Sequence, residues 1–129
     1  MFKPTIKYEI VVGLLNHVNG YTTAEAVQQA WQEYAKQFYE KNDVYVSAIA
    51  NVGSAVYHRD WGCPFRGEPS ITFNCTANPE FIKDMCLYEE GVLYISMMLK
   101  EHFYQNTVTI TKLPSYICYL SDKDNEEEE

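Results

Sequence analysis

The sequence predicts an α+β fold of the ferredoxin-like type, β-α-β-β-α-β, in which two helices cover one face of a single antiparallel sheet. Two long segments carry apolar side chains at helical spacing, and the segments around them are β-rich or alternate between apolar and polar residues. No internal repeat or linker indicates a second domain, and 129 residues is the usual size of one. We therefore expect one domain over residues 1–121 and a disordered acidic tail at 122–129.

The first strand and the first helix have clear signals. Residues 7–15 carry apolar side chains on both faces, which is typical of a central strand. Thr22 is expected to be the N-cap of the first helix, with Glu25 at position N3 of a capping box. Apolar residues then recur at helical spacing, and the helix is expected to end at residues 41–42.

The middle of the chain predicts two further strands. Residues 44–50 are β-rich, and the pattern leaves open whether this strand continues through Gly53 to Tyr57 as one bent strand or turns there into a hairpin. A loop rich in glycine and proline follows at residues 59–69. Residues 70–76 alternate cleanly, as expected for a half-exposed antiparallel strand.

The second helix is predicted to start at Asn78, a good N-cap, followed by Pro79 at N1 and Glu80 in the first turn. An apolar stripe with steps of four and three predicts one long helix that ends near Tyr104. Gly91 lies in its middle, where a glycine costs about 1 kcal/mol relative to alanine and marks a close packing point or a kink.

The last predicted strand occupies residues 107–112 and is interrupted by Pro114. Residues 116–120 then resume as an edge strand or an extended arm. Edge strands and a high content of tyrosine, which suits half-wet surfaces, favour a homodimer or a higher homo-oligomer.

The charge and the cysteines exclude several classes of function. The net charge is −8, but the tail contributes −5 of it, so the body carries only −3. Without a basic stripe, direct binding to nucleic acid is not expected. The chain has no apolar run of about 18 residues and no signal peptide, so we expect a protein of the host bacterial cytoplasm with no membrane partner. Four dispersed cysteines predict reduced thiols, no metal site and no cofactor.

The loop at residues 57–68 is the strongest candidate for a ligand site. It combines both arginines of the chain with aromatic side chains, a pairing that can hold an anionic, nucleotide-like ligand by charge and stacking. The alternative is a surface loop whose arginines pair with Asp60 and Glu68. Two lysines near the end of the second helix and on the following strand could complete an anion pocket. The predicted ligand-binding residues are Tyr57, His58, Arg59, Trp61, Phe65, Arg66, Lys100 and Lys112.

No recognisable catalytic motif occurs in the sequence, which favours a binding protein over an enzyme. One alternative is an inhibitor that mimics nucleic acid and docks on a host defence protein through an acidic, tyrosine-rich surface. Another is a small hydrolase that uses His17 or His58 as its base, to which the fold gives little support because this fold hosts many functions.

Three segments resemble the phage anti-defence proteins of the Thoeris sponge type. They are residues 7–14, the helix start from Thr22 to Glu25, and the pattern of Leu99, Lys100 and Phe103 followed by Gln105 and Val108. This resemblance implies a phage-encoded, oligomeric protein without enzymatic activity, which sequesters a cyclic-nucleotide signal and so counters host defence. The chain has no arginine near its C-terminus to grip a phosphate, so no binding residue is carried over from that family.

Overall fold

The computed structural model describes residues 1–122 and confirms the ferredoxin-like arrangement of two helices and a four-stranded antiparallel sheet. The predicted acidic tail lies, from residue 123 onward, outside the described residues. The elements, in chain order, are β1 (Lys3–Gly13), β2 (Leu15–Asn16), β3 (Gly20–Tyr21), α1 (Ala24–Asn42), β4 (Ile49–Ala55), a 3-10 turn (Arg59–Trp61), β5 (Glu68–Thr76), α2 (Met85–His102) and β6 (Thr109–Ile117).

The strand order is β4-β5-β1-β6, so β1 is a central strand, as its two apolar faces predicted. Alternate residues of β1, including Ile10 and Val12, are fully buried beneath the helices. Trp31 of α1 stacks on Phe73 of β5 with ring centroids 4.4 Å apart, which places α1 on this face. Tyr88 of α2 packs beside β1 on the same face. Neither α1 nor α2 covers the opposite face of the sheet, which we call the helix-free face.

Helix α1 begins one residue later than predicted. The N-cap is Thr23, whose hydroxyl oxygen accepts a hydrogen bond from the backbone N–H of Ala26 at 3.1 Å. Thr22 is instead buried, and its hydroxyl accepts from the Asn16 side chain at 3.2 Å. Glu25 thus occupies N2 rather than N3, and the predicted capping box is wrong. The end of the helix at residue 42 is confirmed.

The second predicted strand also starts later, because residues 44–48 are not paired in the sheet. The carbonyl of Val46 accepts a hydrogen bond from the Trp31 indole N–H at 3.1 Å, so helix α1 holds this segment in place. Strand β4 then pairs with β5 in an unbroken register in which Gly53 lies opposite Ser70. It is one strand, without a hairpin or a bulge at the glycine.

The predicted start of the second helix is wrong as well. Asn78 begins a turn in which its backbone carbonyl accepts from the N–H groups of Phe81 and Ile82. Helix α2 begins six residues later than predicted, with Asp84 as its N-cap, whose carboxylate accepts a hydrogen bond from the backbone N–H of Leu87 at 3.0 Å. Both positions carry favourable cap residues, and Asp84 directly precedes the buried stripe of the helix.

Strand β6 runs through Pro114, which lies opposite Ile6 of β1. The strand is at the edge of the sheet, so the missing N–H of proline costs it no partner on the outer side. The two predicted segments are therefore one edge strand, and that strand ends at Ile117.

Gly91 marks the close packing point that its position in α2 suggested. A Cβ at this position would lie 2.9 Å from both a ring carbon of Phe38 and a methyl group of Val46. We expect Gly91→Ala to destabilise the fold, because overpacking costs about 1–3 kcal/mol and exceeds the helix-propensity gain of about 1 kcal/mol. Urea unfolding measures this change in the free energy of unfolding, and a more stable variant would contradict the packing described here.

Candidate functional site

A cavity of about 630 Å³ opens at one end of the helix-free face of the sheet. Val11 and Gly13 of β1 lie on this face, in alternation with the buried Ile10 and Val12. The cavity has the size of a small-molecule site, about 300–1,000 Å³. Its lining residues are Val11, Gly13, Leu15, Asn16, His17, Ala55, Tyr57, Trp61, Glu68, Ser70, Tyr104, Gln105, Asn106, Thr107 and Thr109.

Two oxygen atoms crowd Gly13 at the base of the cavity. A Cβ built on this glycine would lie 2.6 Å from Oε2 of Glu68 and 2.6 Å from Oε1 of Gln105. Only a residue without a side chain lets both oxygens approach β1 so closely. Glu68 lies beside Gly13 because of the strand register. Gly13 pairs with Ser70, and Glu68 precedes Ser70 by two residues, so both lie on the same face of β5.

Gln105 is fixed by hydrogen bonds at both its side chain and its backbone. Its side-chain Nε2 donates to the carbonyl of Leu15 at 2.7 Å, and its backbone N–H donates to the carbonyl of Lys100 at 2.9 Å. Tyr104 precedes it with a positive φ of 53°, which turns the chain out of α2. The connection from α2 to β6 is thus tied to β2, directly after β1, and the Gln105 Oε1 points toward Gly13.

Tyr57 is the hydrogen-bond donor next to the carboxylate. Its hydroxyl donates to Oε1 of Glu68 at 3.4 Å. Desolvation by burial, followed by the negative charge of Glu68, raises the pKa of the Tyr57 phenol above its usual value, and the phenol remains a hydrogen-bond donor. The Tyr57 hydroxyl therefore donates to one carboxylate oxygen, while the other lies against Gly13.

The electrostatics of the cavity differ from those of the predicted anion pocket. Among residues 1–122, no lysine or arginine lines it, and Glu68 is its one carboxylate. A carboxylate beside an amide oxygen attracts a cation or a hydrogen-bond donor and repels phosphate. The cavity therefore suits a positively charged or neutral ligand.

The predicted site residues are only partly brought together. Tyr57 and Trp61 line the cavity. His58 caps the 3-10 turn, where its Nδ1 accepts from the backbone N–H of Asp60 at 3.0 Å. Arg59 is exposed on the same turn, outside the cavity lining.

The remaining predicted residues lie away from the cavity. Phe65 is 90% exposed, and the Arg66 guanidinium lies 5.5 Å from the centre of its ring. Lys112 lies on the helix-covered side of β6, where its Nζ forms an ion pair with Oε1 of Glu89 at 2.7 Å. The hydrogen bond from Lys112, followed by the one from the Tyr8 hydroxyl, lowers the pKa of Glu89. Lys100 contributes only its backbone carbonyl, to the turn described above. Neither arginine forms an ion pair with Asp60 or Glu68 in the described chain.

The sequence carries no local signal that assigns several of the cavity residues to one site. Glu68 ends the predicted loop, where the alternative interpretation pairs it with an arginine. Gln105 belongs to one of the resembling segments, and His17 is one of the two candidate bases. The missing information was the register of β1 with β5, which places residues 57 positions apart in contact. Within residues 1–122 no cluster of histidine, cysteine or acidic side chains could hold a metal ion. Over the same residues, no helix is long and apolar enough to cross a membrane.

Two solved structures share this fold along nearly the whole chain. One is a phage SAM lyase in the apo state, with 15% identity, a TM-score of 0.56, and coverage of 92% of this chain and 91% of the other. The second is a phage SAM lyase in complex with S-methyl-5'-thioadenosine, with 16% identity, a TM-score of 0.54, and coverage of 89% and 90%. At this identity the likeness concerns the fold. A search of curated protein sequences finds no significant match.

The sequence itself matches the family model described as SAM lyase over residues 3–121. This is a family of enzymes, so the predictions of a non-enzymatic protein and of a sponge that stores its ligand intact are wrong. Those predictions rested on the absence of a known catalytic motif. The cavity is lined by residues that are distant in sequence, which a short motif does not reveal. The predicted link to phage proteins agrees with the two phage structures. The match spans nearly all of the described residues, and the chain belongs to the SAM lyase family.

Proposed function

We propose that this protein cleaves S-adenosylmethionine (SAM) in the cavity at Gly13 and releases S-methyl-5'-thioadenosine. The family match carries this proposal. It is supported by a cavity of suitable size whose one carboxylate, Glu68, matches the positive charge of SAM. One of the two phage SAM lyase structures with this fold is a complex with S-methyl-5'-thioadenosine, the compound proposed here as the product.

The substrate has features that the cavity walls can recognise. SAM carries a sulfonium and an ammonium group, and the oxygens of Glu68 and Gln105 next to Gly13 offer acceptors to these positive charges. The adenine ring needs an aromatic surface, which Tyr57 and Trp61 provide at the outer wall. These contacts hold the sulfonium end deep in the cavity and the base near its mouth.

The identity of the product defines the bond that breaks. S-methyl-5'-thioadenosine keeps the sulfur, its methyl group and the adenosine, so the bond between sulfur and Cγ of the four-carbon amino acid part must break. The electron pair of that bond stays on sulfur and converts the sulfonium into a neutral thioether. The four-carbon fragment then either transfers a Cβ proton to a basic side chain or to solvent and forms a Cβ–Cγ double bond, or forms a new bond from Cγ to an oxygen of its own carboxylate. Neither route consumes water.

The contribution of the protein is then mainly orientation. A neutral thioether is already a good leaving group, so a fixed substrate conformation with the reacting groups aligned supplies much of the acceleration. Glu68 is positioned for this task, since Tyr57 donates to one of its oxygens and Gly13 leaves space for the other. We therefore assign Glu68 and Gln105 to hold the cationic part of SAM.

The direct test is to incubate the purified chain with a large molar excess of SAM and to follow substrate and products by chromatography with mass detection. We expect many equivalents of SAM to become S-methyl-5'-thioadenosine, with a four-carbon product that contains no added water early in the reaction. Quantitative recovery of intact SAM, or immediate formation of homoserine as the only four-carbon product, would contradict the proposal.

The arginines of the exposed loop provide a second test. We expect the double substitution Arg59→Ala and Arg66→Ala to leave kcat/KM for SAM within about twofold of the unmodified chain, because neither side chain lines the cavity. Steady-state kinetics measures this. A loss of tenfold or more would place the substrate on the loop, as the anion-pocket hypothesis expected.

SAM cleavage also provides a mechanism for the predicted action against host defence. We propose that the protein acts in the host cytoplasm, where consumption of SAM deprives methyl-transferring enzymes of their donor. The ligand would then be destroyed rather than sequestered.

A further inference from the structure

A second cavity, of about 460 Å³, lies at the other end of the sheet. The end of α1, the segment at 43–47, the end of β5 and the turn at 78–82 surround it. Its lining shares no residue with the cavity at Gly13. Thr76 lines this second cavity and pairs with Lys7 of β1. Lys7 lies six residues before Gly13 along that strand.

Four of its nine lining residues are aromatic. Tyr39 and Tyr45 lie with ring centroids 6.1 Å apart and planes inclined by 70°, so they form two sides of a corner. Tyr88 is only 2% exposed and closes the inner side, while Phe81 lies at the outer side. Rings arranged around a cavity can present their negative π faces to one ligand.

One unpaired carboxylate accompanies these rings. Asp43 lines the cavity and forms no ion pair in the described chain. Its backbone has a left-handed φ of 57°, and its N–H caps the carbonyl of Tyr39, so the turn that carries the carboxylate is fixed. No lysine or arginine of residues 1–122 lines the cavity.

We propose that this second cavity binds a small organic cation that carries alkyl groups, of the quaternary ammonium class. Such a cation is weakly hydrated, fits against aromatic faces and is attracted by their quadrupoles. The carboxylate of Asp43 adds a charge that a neutral ligand of the same shape cannot use. The cavity is separate from the one in which SAM is cleaved, so its occupancy does not depend on the proposed lyase activity.

The test compares two probes of nearly equal shape, choline and its neutral analogue 3,3-dimethylbutan-1-ol, titrated into the full chain by calorimetry. We expect choline to bind at least about tenfold more tightly, a difference that only charge can produce. Equal affinity for the two probes, or no choline binding at millimolar concentration, would overturn the proposal.

Substitutions locate the binding and test its cause. Asp43→Asn is expected to weaken choline binding about tenfold without harming the fold, because asparagine tolerates the left-handed conformation. Asp60→Asn makes the same charge change on the distant 3-10 turn and is expected to have no effect. Tyr45→Leu is expected to weaken binding, and Tyr45→Phe to retain it, since the ring face survives. Equal effects of the two aspartate substitutions would contradict the site, as would a choline affinity unchanged in Tyr45→Leu.

Discussion

Glu68→Gln is expected to lower kcat/KM for SAM cleavage about 100-fold, which corresponds to about 2.7 kcal/mol of lost transition-state stabilisation. Glutamine keeps the shape of the side chain but removes the charge that faces the cationic substrate. The described structure gives Glu68 no ion pair, and its one side-chain partner is the Tyr57 hydroxyl. We therefore expect the fold to keep its stability. Steady-state formation of S-methyl-5'-thioadenosine measures the effect.

The matched control is Glu90→Gln, which makes the same chemical change on an exposed position of α2. This variant should retain the activity of the unmodified chain. If Glu68→Gln and Glu90→Gln had equal activity, Glu68 would have no role in holding the substrate. If Glu68→Gln lost activity only together with its thermal transition, the effect would be one of folding.

Gly13→Ala is expected to lower kcat/KM by roughly 10- to 100-fold while the protein stays folded. The new methyl group would lie 2.6 Å from the side-chain oxygens of both Glu68 and Gln105, so both side chains must move. Glu68 forms no ion pair in the described chain and can turn aside at little cost, whereas Gln105 must weaken its hydrogen bond to the Leu15 carbonyl, which costs about 0.5–1.5 kcal/mol and leaves the protein folded. The movement is costly for catalysis, because a misplacement of about 1 Å in a holding group strongly reduces the rate.

Gly53→Ala is the control for this change, because it lies in a strand of the same sheet with no atom within 4 Å of a new Cβ. We expect it to match the unmodified chain in activity and to be at least as stable. Full activity of Gly13→Ala would mean that the oxygens beside the glycine do not contact the substrate. Unfolding of Gly13→Ala would contradict the claim that only side-chain ends move.

The order of helices and strands could be predicted because each element carries a local signal. Helical spacing and alternation identify α1, α2 and β5 from neighbouring residues alone. The errors lie at the ends of elements, where tertiary contacts decide. Val46 belongs to a β-rich run, yet its carbonyl bonds to Trp31 of α1 and the strand begins only at Ile49. Asn78 and Asp84 are both good caps, and sequence pattern alone favoured the wrong one.

The site was harder to predict because it depends on register. Tyr57 and Trp61 could be found since they belong to one conspicuous aromatic loop. Glu68 and Gln105 come from different elements and meet only because both approach Gly13 of β1. The arginines carried the strongest local signal for a ligand, but the loop directs them away from the cavity. The local chemistry of the loop therefore predicts an anion site, whereas the cavity beside it is lined by the carboxylate of Glu68.

The measurement that tests the site most directly is to titrate isotope-labelled protein with S-methyl-5'-thioadenosine and to follow backbone amide resonances by NMR. Binding in the cavity at Gly13 predicts that the largest changes occur at Tyr57 and Trp61, beside the adenine ring, and extend to Gly13. Changes confined to Phe65 and Arg66, or to the second cavity around Tyr45, would contradict the assignment of this cavity as the place where SAM is cleaved.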